Sequence, residues 1–195
     1  VITVSADNAT SVASNVFVLD YGCIYQEGFI YSIDDTTAQT GSIGGKVTSL
    51  SDQSTSYTWS GAKSEVGGIT ENSIAGDNSC NGKSDGGCNT ARIVADTNQT
   101  GNVAATLCND YNSGAHQDWY LPAICEMGPD SNGSGCAAGT DNIVTNLSDL
   151  VVTNNSNCTF GANCLEGSYW SSTESSYSPQ GIAWNQFFSA SSSQY

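Results

Sequence analysis

Basic residues are the scarcest feature of this 195-residue sequence. Four Lys plus Arg and one His stand against nineteen Asp plus Glu, which gives a formal net charge of −15 at pH 7. Nucleic-acid binding needs clustered Lys and Arg to displace counterions from phosphates. Lys46, Lys63, Lys83 and Arg92 are scattered along the chain, so we exclude nucleic acid as a partner and disfavour anionic membranes and sulfated glycans.

Long apolar runs and catalytic motifs are also missing. No apolar run approaches the roughly 18 residues that indicate a membrane span. The sequence has no Gly-x-Ser-x-Gly elbow, no phosphate loop and no dinucleotide fingerprint, and its single histidine, His116, follows Gly114 beside a predicted turn. We therefore predict a protein that is not an enzyme and needs no cofactor.

Eight cysteines, an even number in a chain that is poor in Lys and rich in Asn, Ser and Thr, are typical of an oxidising extracellular compartment. The chain starts at Val1 with no signal-like segment, and we interpret it as a mature form or a fragment. Eight cysteines permit about 105 connectivities. Spacing favours three local disulfides and leaves one long-range pair: Cys80–Cys88, Cys125–Cys136, Cys158–Cys164 and Cys23–Cys108.

The order of predicted elements is strands, a long polar loop over 61–90, helices, and strands again. Residue pattern and capping signals predict these elements. The predicted segments are strands at 27–33, 42–50 and 57–59, helices at 102–111, 122–127 and from 141, and strands at 168–172 and 182–188. This order predicts an α+β fold that is rich in loops and stapled by disulfides.

The first nineteen residues are predicted to form an extended β arm, followed by an α+β domain over residues 20–195. Ile2, Val4, Val16 and Val18 give the arm its strand character. An extended segment of this kind adds a strand to the sheet of a neighbouring subunit in known assemblies. We therefore name these four side chains as candidate assembly residues.

One polar loop offers a candidate calcium site. Residues 77–82 imitate the first six positions of an EF-hand loop, but Cys88 occupies position 12, where that loop requires a Glu. A looser site built from Asp77, Asn81 and Asp85 is the alternative to a plain polar loop closed by a disulfide.

The four tryptophans divide into one candidate ligand contact and three candidate core residues. Trp59 adjoins the polar loop, and we predict that its ring is exposed and available to stack on a sugar. Trp119, Trp170 and Trp184 lie within apolar segments, and we assign them to the core.

Three segments together resemble a bacterial family, the one named for the C-terminal domain of the Legionella collagen-like adhesin. Residues 114–128, with Asp118-Trp119-Tyr120-Leu121-Pro122 and Glu126, look like its Asp-Trp-x-Leu-Pro…Glu signature. Residues 169–174 look like its Trp-Ser-Ser-Thr-Glu signature, and residues 183–188 are similar to its Ala-Trp strand. The stretch 21–53 also resembles the opening of secreted members that carry preceding immunoglobulin-like segments.

The resemblance implies a secreted or surface location and a C-type lectin-like domain, with residues 1–19 as the end of an immunoglobulin-like segment. We assign the signature residues Asp118, Trp119, Pro122, Trp170 and Glu174 to structural roles, and we expect Asp118 and Glu174 to accept hydrogen bonds from backbone donors in turns. The resemblance also implies that the counterpart of Cys108 bonds a cysteine in a later Val-Arg-Cys strand, which this sequence does not contain. The strong acidity is the opposite of the basic surface with which the adhesin binds sulfated glycans.

Two functions follow from these expectations. The first is a non-enzymatic structural subunit of an extracellular filament or surface assembly, whose partners are further copies or neighbouring subunits. The alternative is an adhesin module that binds a glycan or a host or matrix protein.

Overall fold

The computed structural model describes residues 19–34, 44–114, 116–151, 164–189 and 191–195. The predicted arm, with Ile2, Val4, Val16 and Val18, therefore lies outside the described residues except for Leu19. Cys158 lies outside them as well.

The described residues form an α+β fold with two small antiparallel sheets and short helices. The strands are β1 (Ile24–Tyr25), β2 (Gly28–Asp34), β3 (Gly44–Ser49), β4 (Gly167–Glu174), β5 (Ala183–Phe188) and β6 (Ser193–Gln194). The helices are α1 (Gly86–Ala95), α2 (Ala104–Asp110), α3 (Ile124–Met127) and α4 (Ile143–Asn146), and α4 is followed by a 3-10 turn at Ser148–Leu150. None of these helices is long and apolar enough to cross a bilayer.

The first sheet has the order β1-β2-β3. Tyr25 pairs with Gly28, so Gln26 and Glu27 form a two-residue hairpin turn in which both residues have positive φ (49° and 65°). Such turns ordinarily contain Asn or Gly, because other side chains are strained there. A hydrogen bond from Ser113 Oγ to the Glu27 carboxylate ties the strained turn to the loop after α2.

The second sheet has the order β4-β5-β6, and its ladder is irregular between Trp170 and Glu174. The residues in this irregular stretch, 171–174, are fully buried although all four are polar. Buried polar groups need hydrogen-bond partners. Ser172 N–H donates to Pro122 O (2.8 Å), and Thr173 Oγ1 donates to Gly82 O (2.8 Å), so β4 joins α3 to the loop before α1.

Helix α1 occupies the end of the stretch that the sequence predicts as a loop. Asp85 caps it by accepting a hydrogen bond from Cys88 N–H (3.0 Å). Its buried face is largely polar: Asn89 donates to Gly82 O (2.6 Å) and Thr90 exchanges hydrogen bonds with Leu121. The apolar periodicity that marks a helix is therefore weak. The predicted strand at 57–59 is likewise only a single bridge, from Thr58 to Val103.

Two main groups of buried side chains form the core. One lies around α1 and α2 and includes Trp59, Ile69, Ile93 and Val103. The other joins β2 to α3, α4 and β5 and includes Phe29, Met127, Ile143, Leu147 and Phe188. Leu147 is buried, whereas Leu150 is only partly buried.

Two of the predicted local disulfides are present, Cys80–Cys88 and Cys125–Cys136. Cys164 is also disulfide-bonded. The predicted Cys23–Cys108 bond is wrong, because both cysteines are free. Cys23 is exposed in the turn before β1, whereas α2 directs Cys108 against the core around α1, where burial raises the pKa of its thiol to about 11.

The Cys125–Cys136 disulfide joins residues that are 11 positions apart in sequence. We expect the Cys125→Ser/Cys136→Ser variant to lose about 2–3 kcal/mol of unfolding free energy, because the unfolded chain is then no longer restricted by this closed loop. Urea denaturation monitored by tryptophan fluorescence measures the change. Cys23→Ser is the matched control, since its thiol is exposed and unpaired. Equal stability of the control and the double variant would contradict the expectation.

Candidate functional site

A cleft of about 900 Å³ separates the first sheet from α2 and β4. Ten aromatic side chains line it, among them Phe29 and Tyr31 from β2, Tyr111 and Trp119 after α2, and Tyr169 and Trp170 from β4. Every residue of β3, from Gly44 to Ser49, lines it as well. Because clefts of this size and composition accommodate ligands or peptide segments, we identify it as the candidate binding site.

Three carboxylates, Asp52, Asp118 and Glu166, line this cleft together with several Ser, Thr and Gln side chains. Lys46 and His116 lie among its lining residues as well. Tyr169 Oη donates to Asp52 Oδ1 (2.7 Å), and burial together with that carboxylate raises the pKa of Tyr169. Trp119 Nε1 is buried without a hydrogen-bond partner, although its ring packs edge-to-face on Tyr111 at 5.2 Å.

A buried carboxylate, Glu126, organises the cleft floor. Its Oε2 accepts hydrogen bonds from Ala123 N–H (2.8 Å) and Gly86 N–H (3.1 Å), so one oxygen serves the starts of α3 and α1. Its Oε1 accepts from Tyr120 Oη (3.0 Å) and pairs with Lys46 Nζ. A Cβ at position 86 would lie 2.5 Å from Oε2, which explains the glycine there.

The tyrosines around Glu126 respond to its charge. Tyr31 Oη and Tyr120 Oη are 3.5 Å apart. Burial raises the pKa of both phenols, and the nearby Glu126 carboxylate raises each of them further. Both phenols therefore stay protonated, and Tyr120 remains a donor to Glu126 over the whole physiological range.

Two further buried carboxylates, Glu71 and Glu174, lie outside the cleft. Glu71 N–H donates to Glu174 O (3.3 Å). Burial opposes ionisation of Glu71, but hydrogen bonds from Ser176 and from Trp184 Nε1 (3.1 Å) outweigh it, so its pKa is lowered. Burial raises the pKa of Glu174 to about 8, with smaller contributions from the charges of Glu65 and Asp96.

Opposite pKa shifts in two adjacent carboxylates are a pattern found in acid–base catalysis. Here neither Glu71 nor Glu174 lines the large cleft or the smaller cavity described below. Glu174 is fully buried; its Oε1 accepts from Val66 N–H (2.9 Å), and its Oε2 has no partner. Because Glu71 accepts a hydrogen bond from Ser176 N–H (2.8 Å) and Glu174 from Val66 N–H, we assign the pair to the stability of the fold.

The predicted site residues are only partly brought together. The prediction that Trp59 is exposed is wrong: its ring is 8 % exposed, because Nε1 donates to Ser171 O (2.8 Å) across the buried stretch of β4. Trp170, assigned to the core, is instead 39 % exposed. Both rings line a smaller cavity of about 300 Å³, together with Lys63 and Gln180.

Asp77, Asn81 and Asp85 lie on the loop that leads into α1. Asp77 is exposed, and Asp85 uses its carboxylate to cap the helix. Within the ranges that the structure describes, no three His, Cys, Asp or Glu side chains are grouped to hold a metal ion. Of the signature residues, Glu174 accepts a backbone hydrogen bond as expected, and Asp118 is exposed at the cleft.

We expect Glu126→Ala to lose about 3–5 kcal/mol of unfolding free energy, because it leaves two backbone N–H groups, a phenol and an ammonium without their acceptor. Lys46→Met should cost only about 1–2 kcal/mol, since the carboxylate keeps its other three donors. Urea denaturation measures both changes. A larger loss for Lys46→Met would contradict the role assigned to Glu126.

We expect Glu174→Gln to gain stability over the wild type as pH rises from 5 to 9. As pH rises, Glu174 ionises near pH 4.5 in the unfolded chain but only near pH 8 in the folded one. Between these two pH values the wild type therefore loses up to about 1.4 kcal/mol of unfolding free energy per pH unit. Glu71→Gln is the matched control with the opposite sign, because it removes a carboxylate whose ionised form is stabilised. The measurement is the urea midpoint of each protein as a function of pH. If the midpoints of all three proteins change with pH in the same way, the stability does not depend on the ionisation of Glu174 or Glu71.

Comparison of the chain with protein-family models, with curated proteins and with solved structures finds no match. The cleft therefore has to be interpreted from its own geometry and chemistry.

Proposed function

We propose that the chain is a secreted, non-enzymatic structural subunit of an extracellular filament or surface assembly. The observation that supports this most directly is the open aromatic cleft beside β3. Within the described ranges β3 is an edge strand, since it pairs only with β2. An apolar cleft next to unpaired backbone groups favours association with an extended segment of another chain.

The surface charge and the disulfides are compatible with this function. A net charge of −15 keeps separate copies soluble by mutual repulsion, so their association needs a contact that outweighs this repulsion, such as the aromatic rings of the cleft. The disulfides Cys80–Cys88 and Cys125–Cys136 are compatible with a secreted protein.

We place the domain, as a finer proposal, among C-type lectin-like folds of the adhesin family that it resembles. The Trp-Ser-Ser-Thr-Glu segment supports this, because residues 171–174 form a buried polar link between β4, α3 and the loop before α1. The fold needs small hydroxyl side chains at these positions to form this link, so the segment would be required whatever ligand the domain binds.

An adhesin module that binds a glycan is the second proposal, and the smaller cavity favours it. The half-exposed ring of Trp170 offers a stacking surface, and Lys63 and Gln180 supply hydrogen-bond donors. A glycan array probed with the wild type and with Lys63→Ala/Gln180→Ala, with and without calcium, distinguishes this activity from assembly, because neither residue lines the large cleft.

The purified protein at neutral pH should form regular polymers, and more of them at 0.5 M salt than at low salt, because salt screens the repulsion between acidic copies. Negative-stain electron microscopy and sedimentation velocity measure this. Leu107→Glu, which places a charge in the cleft wall, should leave monomers. Val94→Glu is the matched control, since Val94 is an exposed α1 residue outside the cleft.

Monomers of the wild type at every salt concentration would contradict the proposed function. Equal polymerisation of Leu107→Glu and Val94→Glu would retain an assembly but exclude the cleft as its contact.

A further inference from the structure

The large cleft leaves apolar rings open to solvent. Tyr25 and Trp170, at its two sides, are 47 % and 39 % exposed, while Phe29 and Phe188 at its base are buried in the core. Exposed apolar surface that is continuous with a core marks an interaction site. An occupant that covers these two rings therefore has to bring apolar side chains.

The edge of β3 specifies the kind of occupant. Gly44–Ser49 border the cleft along their whole length, and one side of this strand has no ladder partner among the described residues. A small apolar ligand would cover the rings but leave the edge N–H and C=O groups to water. An extended peptide satisfies both, because its backbone pairs with the edge while alternate side chains enter the cleft.

The sequence contains one segment with the matching composition outside the described residues, at positions 1–18. Ile2 and Val4 fall on one face of a strand, and so do Val16 and Val18. Asp7 is the only charged side chain of these eighteen residues, in a chain whose net charge is −15. The segment therefore approaches an acidic neighbour with little repulsion.

The reach of this segment is sufficient to connect neighbouring subunits. Leu19, the residue after it, lines the cleft of its own subunit. The fourteen residues between Val4 and Leu19 span about 46 Å when extended at ~3.3 Å each. A domain of this size is about 40 Å across, so Ile2 and Val4 reach the equivalent cleft of an adjacent copy.

We infer that residues 1–18 of a second copy occupy the cleft, with Ile2 and Val4 between the aromatic walls and the backbone added to the edge of β3. This inference rests on the proposed function and names the contact that carries the assembly. Donor segment and acceptor cleft are different surfaces, so each copy donates to the next and receives from the previous one. The contact is heterologous, and it propagates as an open chain where the rotation between successive copies does not close.

Charge substitutions in the full-length chain test the donor segment. Ile2→Asp/Val4→Asp should abolish polymers under conditions in which the wild type assembles, because two carboxylates would enter the apolar cleft. Ala6→Asp/Ala9→Asp is the matched control, since it adds the same charge to the same segment, and it should retain polymers. Polymers of unchanged length from Ile2→Asp/Val4→Asp overturn the inference and leave the proposed function standing, whereas wild-type monomers reject the proposed function itself.

Disulfide trapping tests which copy donates. Two differently tagged proteins, both with Cys23→Ser and Cys108→Ser to remove the unpaired thiols, carry Val4→Cys in one and Thr48→Cys in the other. Oxidation of the mixed polymer should give a product that contains both tags. Tyr177→Cys, at a position 90 % exposed and outside the cleft, should give none. A third protein carries both Val4→Cys and Thr48→Cys in one chain. The inference is overturned if this protein forms the disulfide only within its own chain and the mixture gives no product with both tags.

Discussion

The carboxylate of Glu126 is the interaction on which the arrangement of this domain depends. One side chain joins four separate parts of the chain: the start of α1 through Gly86, the start of α3 through Ala123, Tyr120 in the preceding loop, and β3 through Lys46. Hydrogen bonds to an ionised acceptor are stronger than neutral ones, and this one is almost fully buried. This charged group thus adds a polar link between the first sheet and the helices to the apolar contacts of Phe29 and Tyr31 with Met127, Ile143 and Leu147.

The polar interior of β4 serves the same purpose on the other side of the domain. Ser171, Ser172 and Thr173 have no access to solvent, yet they link β5, α3 and the loop before α1 through short hydrogen bonds. Small hydroxyl side chains allow the elements to approach closely while satisfying backbone groups that larger apolar residues would leave unpaired. The two networks together explain how a chain rich in Ser, Thr and Asn builds a defined core.

The sequence predicts the elements whose stability comes from apolar or β-branched side chains. Strands β2, β4 and β5 and helix α2 lie within two residues of their predicted bounds. Helix α1 was missed because it begins with two glycines and buries Asn89 and Thr90, whose contribution depends on distant partners. The same reason explains the exchanged roles of Trp59 and Trp170: local polarity around Trp59 gives no hint that Ser171 O lies within reach of its indole.

The cleft itself had no signal in the sequence, because its walls come from β2, β3, α2 and β4, which are distant along the chain. Glu126 had one weak signal, since a Glu three residues after a helix cap accepts backbone hydrogen bonds there. Its contacts with Gly86 and Lys46 are tertiary and are visible only in the folded chain.

The short span of Cys80–Cys88 and Cys125–Cys136 has a consequence for biogenesis. Their partners are separated by 8 and 11 residues, and loops of about ten residues close in roughly 10–100 ns. Each pair therefore meets far more often than any distant pair, even before the sheets form. In an oxidising environment these two bonds can therefore form before the rest of the chain has folded, whereas Cys23 and Cys108 remain thiols.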